Sequence, residues 1–150
     1  MRTPTAISLF SGCGGMDLGF VQAGFDVLWA NDINGFACKT YAHNIGDHII
    51  HGDITEIDYQ SIPTADIIIG GFPCQDFSML WKRGGVSTDR GNLYKNFVDL
   101  VAQKNPKVFV AENVKGILTA NKKQAIKQII EDFSDTGEIG YNTKAILVNF

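Results

Sequence analysis

Ala6-Ile-Ser-Leu-Phe-Ser-Gly-Cys-Gly-Gly15 carries a short apolar run straight into a cluster of glycines. Ala6 to Phe10 reads as a strand, and Gly12, Gly14 and Gly15 as the turn that follows it. Met16, Phe20 and Ala23 then recur at i, i+4 and i+7, a helical stripe that Gly24 stops. The same alternation continues downstream. Asp26 to Ala30 predicts a second strand, Gly35 to Asn44 a second helix and Ile49 to Gly52 a short third strand. Ala65-Asp-Ile-Ile-Ile69 is a run suited to a strand covered on both faces. Leu93, Phe97, Leu100 and Val101 mark a helix, Lys107 to Val110 a strand, Ile126, Ile129, Ile130 and Phe133 another helix, and Lys144 to Val148 a last strand. Strands alternating with helices imply βαβ units, hence an α/β fold with an open, mostly parallel sheet and helices on both faces.

A chain of 150 residues, 45% hydrophobic and 19% charged, suits one domain with a real core, spanning 1–150. It has no apolar run near the roughly 18 residues that cross a bilayer, and Ala6 to Phe10 is too short for a signal-peptide core. No membrane is expected, and the cytoplasm is the expected compartment. Cys13, Cys38 and Cys74 are odd in number and unrelated in spacing, which speaks against a disulfide framework. The net charge of −3 sits poorly with a domain that grips nucleic acid by itself, because phosphate contacts dominate such affinity.

Four motifs carry chemistry. Phe10-Ser-Gly12-Cys-Gly14-Gly15 lets backbone N–H groups approach a ligand at a helix N-terminus, or is simply a tight turn. A dinucleotide site would want glycine at position 17, where the chain has Asp17. Asp32, about 20 residues past the turn, can take ribose hydroxyls or merely start a helix. Asp53 stands at a third strand's carboxyl end. In Gly70-Gly-Phe-Pro-Cys74-Gln-Asp-Phe-Ser78 a buried strand opens onto a cysteine. A lone cysteine is commonly an inert small hydrophobe, but at a strand-to-loop junction its thiolate is a strong nucleophile. His43, His48 and His51 all lie upstream and match no zinc spacing with Cys38; they read as surface or helix-end residues. Glu112, in Ala111-Glu112-Asn113-Val114, emerges from an apolar strand, where partial desolvation would let it hold a proton; capping or a salt bridge is the plainer reading. Ser78 to Gly91 is long enough for a functional loop.

Together these residues resemble the cytosine-5 DNA methyltransferases, and the resemblance runs from Ile7 to Phe150. It implies a Rossmann-like class I methyltransferase fold, here incomplete, that binds S-adenosylmethionine (AdoMet). Phe10 would lie against the adenine, Gly12 and Gly14 under the methionine part, and Asp32 on the ribose. Asp53 would take the adenine amino group, Ile33 and Ile54 would flank the ring, and Pro73 and Leu93 would lie near the cofactor. Cys74 would be the nucleophile and Glu112 its catalytic partner on the base. Phe72, Gln75, Ser78, Asn113 and Arg90 would serve the substrate, with the loop at about 78–91 closing over double-stranded DNA. An RNA cytosine-5 methyltransferase would share the cysteine and glutamate.

The resemblance also implies a further part: a Gln-x-Arg-x-Arg segment, a target-recognition domain and a closing helix. Its basic surface would account for the acidic balance of these 150 residues. The chain is accordingly expected to be truncated at its C-terminus, or to be an AdoMet-binding subunit whose second polypeptide carries the rest, and to methylate little by itself.

Overall fold

The computed structural model describes residues 2–73, 93–138 and 140–146. Five strands, β1 (Thr5–Leu9), β2 (Asp26–Asp32), β3 (Ile49–His51), β4 (Ile67–Gly70) and β5 (Val108–Ala111), form one sheet in the order β3-β2-β1-β4-β5. Every pairing is parallel. The described helices are α1 (Gly15–Gln22), α2 (Gly35–Asn44), α3 (Leu93–Lys104) and α4 (Gln124–Ser134).

The chain forms two compact units: Met1–Phe72 with Pro106–Glu112, and Pro73–Asn105 with Asn113–Phe150. The first contains the whole sheet. All four residues of β4 are buried, as are Ala6 to Leu9 of β1. A strand flanked on both sides and covered on both faces reads as an uninterrupted apolar run, which is why Ile67-Ile-Ile69 is legible without alternation. The edge strands differ: β5 leaves Val108 and Val110 exposed, and β3 leaves Ile50 exposed. Met16, Phe20 and Phe25 pack on a cluster of Ala6, Val27, Ile67 and Ile69, and the Phe20 and Phe25 rings meet edge to face at 5.1 Å. At the amino ends of the strands, Asp66 accepts from the Thr5 backbone N–H and hydroxyl at 3.0 Å each and pairs with Arg2 at 2.6 Å and Lys107 at 2.8 Å.

In the second unit, Tyr94, Phe97, Leu100 and Val101 are the buried face of α3, and Ala125, Ile129 and Phe133 that of α4. Phe133 takes Tyr94 and Phe97 edge to face, at 6.2 and 6.0 Å. The Tyr94 hydroxyl donates to Asp132 at 2.9 Å.

Three expectations change. Phe10 does not end the first strand: its φ of 55° puts it in the left-handed region, so the chain turns there. The fourth strand starts at Ile67 rather than Ala65, because the Asp66 backbone N–H bonds the Thr5 hydroxyl instead of a ladder carbonyl. Lys144, Ala145 and Ile146 are exposed and form no strand, lacking a neighbour to complete a ladder among the described residues; Leu147 and Val148 lie outside those residues.

Candidate functional site

A parallel sheet delivers all its carboxyl ends to one side. Register pairs Leu9 with Gly70 and Asn31, Asp32 with His51, and Gly70 with Ala111. The residues just beyond these positions therefore form a row: Asp53 after β3, Asp32 closing β2, Phe10 and the glycine turn after β1, Gly71 after β4, Glu112 after β5. At about 4.8 Å between strands the row is roughly 19 Å long. Strand order reverses at β1, so its boundary with β4 is the switch point at which open α/β sheets take ligands. A cleft of about 190 Å³ opens there, lined by residues 8–11, Met16, Asp17, Gly70, Gly71 and Glu112. A larger hollow of about 480 Å³ lies around Asp66 at the opposite, amino end; the topology argues for the smaller one.

The glycine turn is held from behind. Gly14 has φ 87°, and a Cβ there would meet Ile45 and come within 2.7 Å of the Tyr41 ring. Gly12, at φ 55°, faces open space, with nothing within 4 Å of where a Cβ would stand. Gly14 is thus a packing glycine and Gly12 a bare stretch of backbone that a ligand can approach. The Asp32 carboxylate ties the turn to β2, accepting from the Gly12 N–H at 2.8 Å and the Asn34 N–H at 2.8 Å. A carboxylate has about four lone-pair sites, so it retains capacity for two hydroxyl donors. Asn31 is buried and its amide donates to the Ile50 and Gly52 carbonyls at 3.0 and 2.9 Å, securing β3 and the approach to Asp53. Asp53 accepts from the Thr55 backbone N–H and hydroxyl. Ile54 is buried, whereas Ile33 is 66% exposed.

Gly71 shows why glycine follows β4: a Cβ there would stand 2.9 Å from a Glu112 carboxylate oxygen. The Glu112 N–H donates to the Gly70 carbonyl at 2.9 Å, which seats the residue beside the cleft. Its side chain is exposed, so the desolvation expected of it is not present; it ends an edge strand, with no neighbour beyond it among the described residues. Phe72 is buried. In the second unit Pro73 is exposed, Leu93 half-buried, and the Asn113 side chain accepts from the Val114 N–H at 2.9 Å. Cys74, Gln75, Ser78, Arg90 and the 78–91 loop lie outside the described residues.

The sequence reading missed a buried polar chain behind the turn. Asp17 is 0% exposed and accepts from the Ser8 hydroxyl at 2.9 Å and the Tyr41 hydroxyl at 2.7 Å. Burial pushes its carboxyl above the usual carboxylate range, against the pull of the two hydroxyl donors. Burial, and then the Asp17 carboxylate, push the Tyr41 phenol far above its ordinary value. Ser11 donates to Ser8 at 2.9 Å, and His48 Nε2 lies 3.0 Å from the Tyr41 oxygen. His48 is therefore a half-buried network member rather than a surface residue, drawn in because Tyr41 needs a second polar partner. His43 and His51 are exposed as expected. A tyrosine on the same helix face as the buried Cys38 was the available signal for this network.

The chain is similar to known proteins over most of its length. Residues 5–150 match the family model described as C-5 cytosine-specific DNA methylase. The chain is 58% identical over 149 residues to the type II methyltransferase M.NgoFVII of Neisseria gonorrhoeae, covering 98% of this chain and 39% of that protein. It is 42% identical to the DNA (cytosine-5-)-methyltransferase M.ApeKI of Aeropyrum pernix, covering 89% and 34%. Among solved structures, a prophage-encoded DNA modification methyltransferase of E. coli superposes with a TM-score of 0.69 at 32% identity, covering 87% of this chain and 38% of that one. The chain thus spans about two fifths of the length of the relatives it matches. No helix among the described residues is long and apolar enough to cross a membrane.

Proposed function

Since the chain belongs to the C-5 cytosine-specific DNA methylase family, we propose that it is the AdoMet-binding, catalytic part of an enzyme that methylates carbon 5 of cytosine in double-stranded DNA. The observation that carries the reading is the row at the carboxyl edge of the sheet, where the turn after β1, Asp32, Asp53 and Glu112 stand at strand ends. The residues fit AdoMet. Gly12 offers bare backbone, Asp32 keeps capacity for the ribose hydroxyls, and Phe10 and Ile33 offer apolar surface for the adenine with Asp53 beyond them. Ile54, being buried, supports that wall from beneath. Pro73 and Leu93 complete the family's cofactor set, and the bacterial cytoplasm is the compartment that suits the whole.

The chemistry demands a nucleophile, because carbon 5 of cytosine is too electron-poor to take a methyl group unaided. The Cys74 thiolate adds to carbon 6, forming a C–S bond and moving an electron pair toward carbon 5 and ring nitrogen 3. A proton shared between the Glu112 carboxyl and nitrogen 3 offsets the charge that gathers there. AdoMet, held by the turn after β1, Asp32 and Asp53, would supply an electrophilic methyl group for carbon 5 and leave as the neutral thioether S-adenosylhomocysteine. A base then removes the carbon-5 proton, the 5,6 double bond re-forms, and the Cys74 thiolate leaves. Since none of these atoms is accessible within a stacked duplex, the base must be flipped out. Phe72, Gln75, Ser78, Asn113 and Arg90 are the residues that would shape the pocket and hold the backbone around it.

A duplex carrying 5-fluorocytosine tests the mechanism, because fluorine at carbon 5 cannot leave as a proton does. With AdoMet, the longer protein that contains these residues should form a covalent adduct stable to denaturation. Cys74→Ser should form none. An adduct that survives this substitution would assign the attack to another group.

A further inference from the structure

Asp17 belongs to none of the motifs that the proposed chemistry uses, yet it is the one charged side chain that is buried among the described residues. Enclosing a carboxylate costs several kcal/mol unless donors compensate it. Here two hydroxyls do, Ser8 from β1 and Tyr41 from α2. The residue stands in the first turn of α1, three positions after the N-cap Gly14. A helix N-terminus carries about half a positive charge and attracts phosphate. In dinucleotide-binding turns the corresponding position is glycine, which lets helix and strand pack closely and adds no charge to that end. The present chain sets a carboxylate there instead, in the wall of the cleft. That wall holds two carboxylates, Asp17 and Glu112, and no basic side chain among the described residues.

We propose that Asp17 is a specificity determinant of the cofactor cleft. Its buried carboxylate offsets the anion-attracting end of α1, so the glycine turn rejects phosphate and favours a ligand with a cationic centre. This rests on the reading that the turn holds AdoMet and deepens it: the group selected is the sulfonium. Tyr41 and Ser8 are positioning residues that keep the charge in place. His48 is the other titratable group in contact with the network, through Tyr41.

AdoMet and S-adenosylhomocysteine differ by one methyl group and one positive charge, so their affinity ratio isolates the electrostatic part. Calorimetry on the wild-type protein and on Asp17→Asn should show AdoMet weakened about fivefold more than S-adenosylhomocysteine. That is about the size of a single charge–charge interaction in a half-wet cleft. Tyr41→Phe, which removes one of the two donors that hold the charge, should shift the ratio in the same direction as Asp17→Asn but by less. Equal weakening of both by Asp17→Asn would reduce Asp17 to a structural staple and overturn the proposal. If Asp17→Asn does not fold, Asp17→Ser gives the same ratio test. The wild-type protein adds a readout that needs no variant: displacement of AdoMet by ADP or inorganic pyrophosphate at low millimolar concentration would also overturn it. Should the wild type bind neither AdoMet nor S-adenosylhomocysteine, the cofactor reading itself falls, an outcome distinct from an unchanged ratio.

Discussion

Two glycines only two positions apart do different work, and a methyl group distinguishes them. At Gly14 the added Cβ would strike Ile45 and the Tyr41 ring while φ stays at 87°. Overpacking and left-handed strain together should cost about 2–4 kcal/mol. At Gly12 the Cβ would enter open space, leaving the left-handed cost of about 1–2 kcal/mol. We expect Gly14→Ala to lower the denaturant midpoint strongly and Gly12→Ala to lower it less. Gly12→Ala should instead weaken AdoMet at least tenfold, since the methyl group fills the space the ligand needs. Denaturation curves beside calorimetry check both halves, and a Gly12→Ala protein with wild-type AdoMet affinity would refute the assignment. At this scale, residues tied to a local motif were legible: Gly12, Asp32 and Glu112 stand where strand ends place them. Asp17 was legible only as a mismatch to a dinucleotide pattern. Its partner Tyr41 lies 24 positions away, and nothing in a linear reading brings that hydroxyl to it.

Asp66 acts at the scale of the elements, because one carboxylate joins three strands at their amino ends: Thr5 on β1, its own approach to β4, and Lys107 just before β5. The Lys107 ammonium, then the Thr5 N–H, hold its carboxyl well below the usual carboxylate range. A group whose folded pKa lies below its unfolded value of about 3.9 stabilises fully above that pH and loses its contribution as pH falls toward the folded value. Asp66→Asn should therefore lower Tm at pH 7, and the gap to wild type should narrow progressively below about pH 4. A gap that stays constant down to pH 2 would show that the carboxylate's charge contributes nothing. Helix α2 was readable to its last residue, because the Asn34 side chain caps the Phe36 and Ala37 N–H groups and Ile45 ends the run. Strand ends were less so. Whether Ala65 or Ile67 opens β4 depends on the Thr5 hydroxyl, 61 positions away, and Lys144 to Ile146 have strand composition without a described neighbour to pair with.

For the molecule as a whole, charge and length bear on activity together. DNA affinity grows with the number of phosphates that Lys and Arg neutralise. These 150 residues carry 13 basic against 16 acidic side chains, a net −3 that repels a duplex before any contact forms. The relatives are more than twice as long, the chain covering 39% of M.NgoFVII and 34% of M.ApeKI. On the proposed reading, the row of polar groups at the sheet edge suits AdoMet but does not by itself hold a flipped cytosine over it. Residues 1–150 by themselves should therefore bind AdoMet yet incorporate less than about a hundredth of the tritiated methyl label that a full-length relative such as M.NgoFVII transfers to a duplex. Raising salt should depress the relative's activity steeply, as counterion release requires, and leave AdoMet binding by residues 1–150 nearly unchanged. Robust methylation by residues 1–150 alone would mean that the DNA grip lies within them after all, and the basic side chains near Cys74, Lys82, Arg83 and Arg90, would be the first to replace with alanine.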